Sequence, residues 1–139
     1  MTLAQGIAFA LGAAAVFDDL RHRQVSNWLT GAGVAAGLSM GAGSAGWRGL
    51  GVAAGGAAVG FLTFLLFHLL GGMGGGDVKL MAAFGSILGP SGILLAAVLA
   101  AIFGGLMAAG ALLRKPRARA IPYAPAIVAA AWLSMLGQR

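Results

Sequence analysis

Residues 50–70 read LGVAAGGAAVGFLTFLLFHLL and contain no Asp, Glu, Lys or Arg. About 20 consecutive apolar residues, at 1.5 Å of rise each, form a helix as long as the hydrocarbon core of a bilayer is thick. The rest of the chain supports a membrane reading. Of 139 residues, 60% are apolar and only 9% are charged, whereas soluble domains carry about 25% charged residues. The 25 glycines suit helices that pack closely in lipid, where small residues let backbones approach. The expected fold is an all-α integral membrane protein, a single domain over residues 1–139, with no room for a sizeable soluble part. With no cysteine, disulfides and thiolate metal sites are excluded.

Five further apolar segments flank this one, giving six in all: Thr2–Phe17, Trp28–Trp47, Leu50–Leu70, Val78–Leu88, Gly92–Leu113 and Ile121–Leu136. The expectation is a six-helix polytopic transmembrane bundle with a short fourth helix. The break Gly89-Pro90-Ser91-Gly92 separates the fourth segment from the fifth. The first segment is not read as a cleaved signal peptide, because Met1–Gln5 carries no cation and Arg21, His22 and Arg23 follow directly. Six crossings place Arg21, Arg23, Lys79, Arg114, Lys115, Arg117 and Arg119 on one side, with only Arg48 and Arg139 on the other. By the positive-inside rule the first side is cytoplasmic and both termini lie outside the cytoplasm. The net charge of +6 is thus topological, and no nucleic-acid partner is expected. Anionic lipid is a secondary contact for the basic loops.

Only three acidic residues occur, Asp18, Asp19 and Asp77, and all fall on that cytoplasmic side. Asp77 follows Gly72-Met73-Gly74-Gly75-Gly76 and precedes Val78-Lys79-Leu80. The simplest role for Asp77 is an N-cap, with the helix starting at Val78. Capping does not explain the glycines or the shortness of the helix that follows. Val78–Leu88 makes only about 16 Å of helix, so a helix end that reaches the far surface leaves Asp77 submerged. An ionisable group at such depth marks a functional site. Asp18 and Asp19 fall in the following loop, where a solvated pairing with Arg21 and Arg23 accounts for one of them. Ser26 and Asn27 read as the N-cap of the second helix. Two carboxylates meeting on one membrane face cannot both ionise easily and share a proton. One then serves as base toward water and the other as acid toward a peptide carbonyl, which is aspartic peptidase chemistry.

The motifs also carry a resemblance. Gly74, Gly76 and Asp77 form G-x-G-D ahead of Val-Lys-Leu, and this resembles the second catalytic motif of the prepilin peptidases, or type IV leader peptidases. Asp19-Leu20-Arg21-His22-Arg23-Gln24-Val25-Ser26-Asn27 resembles the family's first motif, D-x-R-x-x-x-I-P-N, with Val25 for Ile and Ser26 for Pro. Ile121-Pro122-Tyr123-Ala124-Pro125-Ala126 is similar to the opening of the last helix in short members. The resemblance implies that Asp19 and Asp77 are catalytic and that Gly74, Gly75 and Gly76 let the Asp77 loop close on substrate. Asp18 is a neighbour with an electrostatic role. It further implies a peptidase-only enzyme of the Flp/Tad type, without the N-methyltransferase domain of longer members, in the bacterial inner membrane. The substrate would be a prepilin whose short basic leader is removed at the cytoplasmic face.

Other residues are read more plainly. Lys79 is a snorkelling anchor or an orienting group for Asp77. His68 closes the third span. His22, His68 and the aspartates lack a ligand spacing such as H-E-x-x-H, so no metal and no cofactor is expected, and the glycine run lacks the G-K-[ST] of a phosphate loop. Two rival readings stay open: a small transporter or proton-relay subunit using Asp19 and Asp77 as carriers, and a packing subunit of a secretion complex. Nothing in the sequence sets an oligomeric state.

Overall fold

The computed structural model describes residues 2–71, 73–114 and 123–137, and these form four helices: α1 (Leu3–His22), α2 (Asn27–Leu69), α3 (Gly75–Arg114) and α4 (Ala124–Gly137). Lys115, Arg117 and Arg119 lie outside the described residues, as do Ile121 and Pro122 at the start of the sixth expected segment. Three helices, α1 to α3, are long and apolar enough to cross a membrane, and α4 is a shorter apolar helix. The outer surface carries large apolar side chains such as Trp28, Trp47, Leu62, Leu106 and Leu113. A water-soluble protein rarely exposes contiguous apolar surface on this scale.

Four helices stand where the hydropathy pattern predicts six, because two of the expected breaks are too tight to end a helix. In α2 the second and third segments run together across Ala45 (φ −143°, ψ 24°) and Gly46 (φ 56°, ψ −134°). Gly46 takes a backbone conformation closed to other residues without strain. The chain reverses there: a Cβ placed on Gly49 would lie 1.9 Å from the Gly41 carbonyl oxygen, although eight residues of straight helix span about 12 Å. In α3 the break falls at Gly89 (φ 74°, ψ 176°), directly before Pro90. Proline removes one backbone donor and cannot continue the hydrogen-bond ladder of the preceding turn.

The arm of α3 before Gly89 is the centre of the molecule. Val78, Leu80, Met81, Ala83 and Phe84 are all buried. Glycines on both arms of α2 make this possible. Gly37 meets Ser86, Gly56 meets the Gly85 carbonyl and Gly60 meets the Met81 carbonyl, each so closely that an added Cβ would collide. Such contacts are how helices associate where lipid offers no hydrophobic drive. α4 closes the other side. Its Trp132 indole N–H donates to the Ala8 carbonyl (3.1 Å) and its Ser134 hydroxyl to the Gly92 carbonyl (2.7 Å). One end of the bundle therefore collects the end of α1, both ends of α2 and the starts of α3 and α4.

Candidate active site

The sequence places Asp18 and Asp19 in a loop, but α1 continues through both and ends at His22. Leu20 and the basic residues in the last turn carry the helix onward, and cations there complement the helix dipole. Arg23 then adopts the left-handed conformation (φ 54°, ψ 29°), its N–H donating to the Asp19 carbonyl at 2.7 Å. This sharp turn is what brings α2 back beside α1.

Asp77 is not the N-cap of its helix. α3 already starts at Gly75, so Gly75 and Gly76 are helical and Asp77 sits inside the first turn, its N–H donating to the Gly74 carbonyl at 3.2 Å. Glycine is a poor helix former, but a carboxylate at a helix N-terminus favours the start. Tight packing supplies the rest: a Cβ on Gly76 would lie 3.2 Å from the Val25 backbone nitrogen.

Asp19 and Asp77 are buried, at 6% and 8% exposure. Both line one cavity of about 410 Å³, together with Gln24, Asn27, Gly74 and Lys79. Across this cavity the Lys79 ammonium donates to the Asn27 side-chain oxygen at 2.8 Å, tying the start of α3 to the start of α2. Lys79 thus holds the start of α3, which carries Asp77, against the start of α2, the helix that follows the turn after Asp19. His68 lies outside this cavity lining; its Nδ1–H donates to the Met73 carbonyl at 2.7 Å, ahead of the glycines.

Asp18 faces elsewhere. It accepts hydrogen bonds from His22 Nδ1 (2.9 Å), from the Ser26 N–H (2.7 Å) and from the Ser26 hydroxyl. The pairing with Arg21 and Arg23 expected for one of Asp18 and Asp19 does not form among the described residues: Asp18 pairs with His22, and Arg21 lies over the Phe17 ring. Ser26 holds the N-cap position of α2, but its side chain makes no cap bond to that helix because it is turned toward Asp18.

One partner of the site escapes sequence reasoning. The Ala124 backbone N–H donates to an Asp19 carboxylate oxygen at 3.3 Å. The first amides of any helix lack intrahelical acceptors, so α4 arrives with a free donor aimed at an anion. The tail motif around Tyr123 and Ala124 was the available signal, since it marks where the last helix begins. Among the described residues no group of three His, Cys, Asp or Glu side chains could hold a metal ion.

Residues 6–109 match the model of the type IV leader peptidase family. The chain belongs to that family. A curated type IV leader peptidase relative, the prepilin leader peptidase/N-methyltransferase of Bacillus subtilis (strain 168), is 39% identical over 85 residues. That match covers 58% of this chain and 34% of the relative, so it spans about a third of that protein's length. No solved structure matches the chain significantly.

Proposed function

We propose that this type IV leader peptidase family member is a membrane aspartic endopeptidase that removes the short basic leader of type IV or Flp-type prepilins at the cytoplasmic face of the bacterial inner membrane. The observation that carries the reading is that Asp19 and Asp77, from motifs far apart in the chain, are buried around one cavity. In the reaction, one carboxylate takes a proton from a water molecule whose oxygen attacks the scissile carbonyl carbon. The other carboxyl, protonated, donates to the carbonyl oxygen as it gains charge. Collapse of the tetrahedral intermediate breaks the C–N bond, and the departing amine takes up the proton held by the base. Such a pair titrates jointly. Its pH–rate profile is expected to be bell-shaped, because neither the fully protonated nor the fully ionised pair can do both tasks.

The topology belongs to the same proposal. A straight helix as long as α2 or α3 would measure about 60 Å, twice a hydrocarbon core. Each therefore crosses twice, reversing at Ala45–Gly46 and at Gly89–Pro90, and the molecule makes six crossings with both termini outside the cytoplasm. The transporter reading gains no support. The cavity at the other end of the bundle, beside Arg48 and Gly89, shares no lining residue with the aspartate cavity.

The test is cleavage of a co-expressed prepilin in membranes at matched protein levels. Asp19→Asn and Asp77→Asn are each expected to lower cleavage at least about 100-fold, the usual worth of a general acid or base, whereas Asp18→Asn retains most of it. Equal cleavage by all three variants and the wild type would refute the peptidase reading.

A further inference from the structure

The cavity at the end of the bundle away from the aspartates measures about 470 Å³ and is enclosed by the start of α1, both arms of α2 and the turn of α3. Its walls are mainly apolar, with Met40, Val52, Ile87 and Leu88 among them. Two serines also line it. The Ser44 hydroxyl donates to the Gly41 carbonyl at 3.1 Å and the Ser86 hydroxyl to the Ala83 carbonyl at 2.7 Å, so both are committed to backbone. Arg48 is the charged group of this lining. Its side chain is exposed and has no ion-pair or hydrogen-bond partner among the described residues. The three carboxylates of the chain all line the cavities at the other end.

Two tryptophans set the level of this cavity in the membrane. Trp28 and Trp47 are 74% and 87% exposed, and tryptophan favours the headgroup region at either face. About 26 Å of helix separates Trp28 from the turn at Ala45–Gly46 that Trp47 follows, close to the thickness of a hydrocarbon core, about 30 Å. Arg48, next in the chain, therefore stands at the level of the lipid phosphates. Gly37, also in the lining, lies about 12 Å of helix before that turn, so the walls reach into the acyl region. Apolar walls without free polar groups hold water poorly, whereas the planar fork of an unpaired guanidinium matches a phosphate. With no carboxylate in the lining, nothing receives a choline or ethanolamine ammonium, so the complementary headgroup carries net negative charge. We propose that this cavity binds one anionic glycerophospholipid, with its phosphate on Arg48 and part of an acyl chain along Met40, Val52 and Leu88. The inference goes beyond the peptidase reading and rests on the paired crossings of α2.

The test is thermal unfolding of the purified protein in neutral detergent, because a ligand that binds the folded state raises the midpoint. The protein is titrated separately with phosphatidylglycerol, phosphatidylcholine and inorganic phosphate. Phosphatidylglycerol is expected to raise the midpoint saturably, phosphatidylcholine to raise it less, and phosphate to leave it unchanged over the same range. Arg48→Gln should need at least about 10-fold more phosphatidylglycerol for the same shift, the usual worth of a hydrogen bond to a charged group. Ser44→Phe places a bulky ring at an exposed lining position and should weaken lipid binding with the charge retained. Arg114→Gln, which removes a cation outside the cavity, should bind as the wild type does. A shift by phosphate equal to that by phosphatidylglycerol would make this an ion site and overturn the proposal, as would equal shifts by the two lipids. Equal weakening by Arg48→Gln and Arg114→Gln would reduce the effect to general charge attraction. Wild-type binding by Arg48→Gln or Ser44→Phe would remove the lipid from the cavity, and either result refutes the site. None of these readouts involves cleavage, so the peptidase reading stands or falls separately.

Discussion

Adjacent residues on an α-helix point about 100° apart, so Asp18 and Asp19 leave the last turn of α1 in different directions. Asp19 turns inward to the Ala124 amide and the cavity shared with Asp77, while Asp18 turns to the α1–α2 connection and holds Ser26. This explains how the chain accommodates serine where the family's motif has proline. Proline has no N–H to donate and sets the turn through its ring, whereas Ser26 sets it through two hydrogen bonds to Asp18. In a double-mutant cycle, Asp18→Asn is expected to lower the melting midpoint in the native background and to have little effect once Ser26→Pro is present; thermal unfolding in detergent measures this coupling. Lys79 and Asn27 form a second coupled pair across the cavity. Lys79→Met and Asn27→Ala are each expected to slow prepilin cleavage a few-fold, and the double variant no further, as read from kcat/KM.

At the scale of elements, glycines that look alike in sequence do different work. Gly75 has only ordinary van der Waals room to fill, with His68 the nearest group at 3.8 Å from an added Cβ. Gly76 abuts the Val25 backbone. Gly75→Ala should therefore remain active, whereas Gly76→Val should push the start of α3 off the α1–α2 turn and lose cleavage while the bundle stays folded, as size-exclusion profiles and activity together would report. The resemblance assigns Gly74, Gly75 and Gly76 to a loop free to close on substrate. With two of the three inside α3, close packing is what requires glycine at position 76. Deeper in the bundle, a Cβ on Gly56 would meet the Gly85 carbonyl at 2.0 Å. Gly56→Val is expected to cost at least about 1–3 kcal/mol, the usual penalty of overpacking, visible as a lower unfolding midpoint.

For the whole molecule, the cysteine-free sequence makes topology directly measurable. In sealed membrane preparations, single cysteines replacing Trp47 and Gln24 are expected to label from opposite faces with a membrane-impermeant thiol reagent. Labelling from the same face would refute the paired crossings of α2. Much was legible beforehand. Residues 50–70 disclosed a membrane protein, because burying that much apolar surface without polar faces is favourable only in lipid. The scarcity of carboxylates singled out Asp18, Asp19 and Asp77, since an acid in so apolar a chain carries a large desolvation cost. Helix ends were less legible, because hydropathy falls wherever charges appear while helical hydrogen bonding continues through Asp18, Asp19 and Gly75. The reversals at Gly46 and Gly89 keep nearly unbroken helical geometry on both sides, so composition marks a turn without showing how short it is. The sequence by itself determined the solvent of this protein and the residues able to carry charge chemistry, because both depend on composition and local spacing. Only the tertiary structure decided which aspartate shares a cavity with Asp77 and that the α4 amide meets Asp19. Those depend on helix rotation and on contacts between segments as far apart as Asp19 and Ala124, which no local pattern encodes.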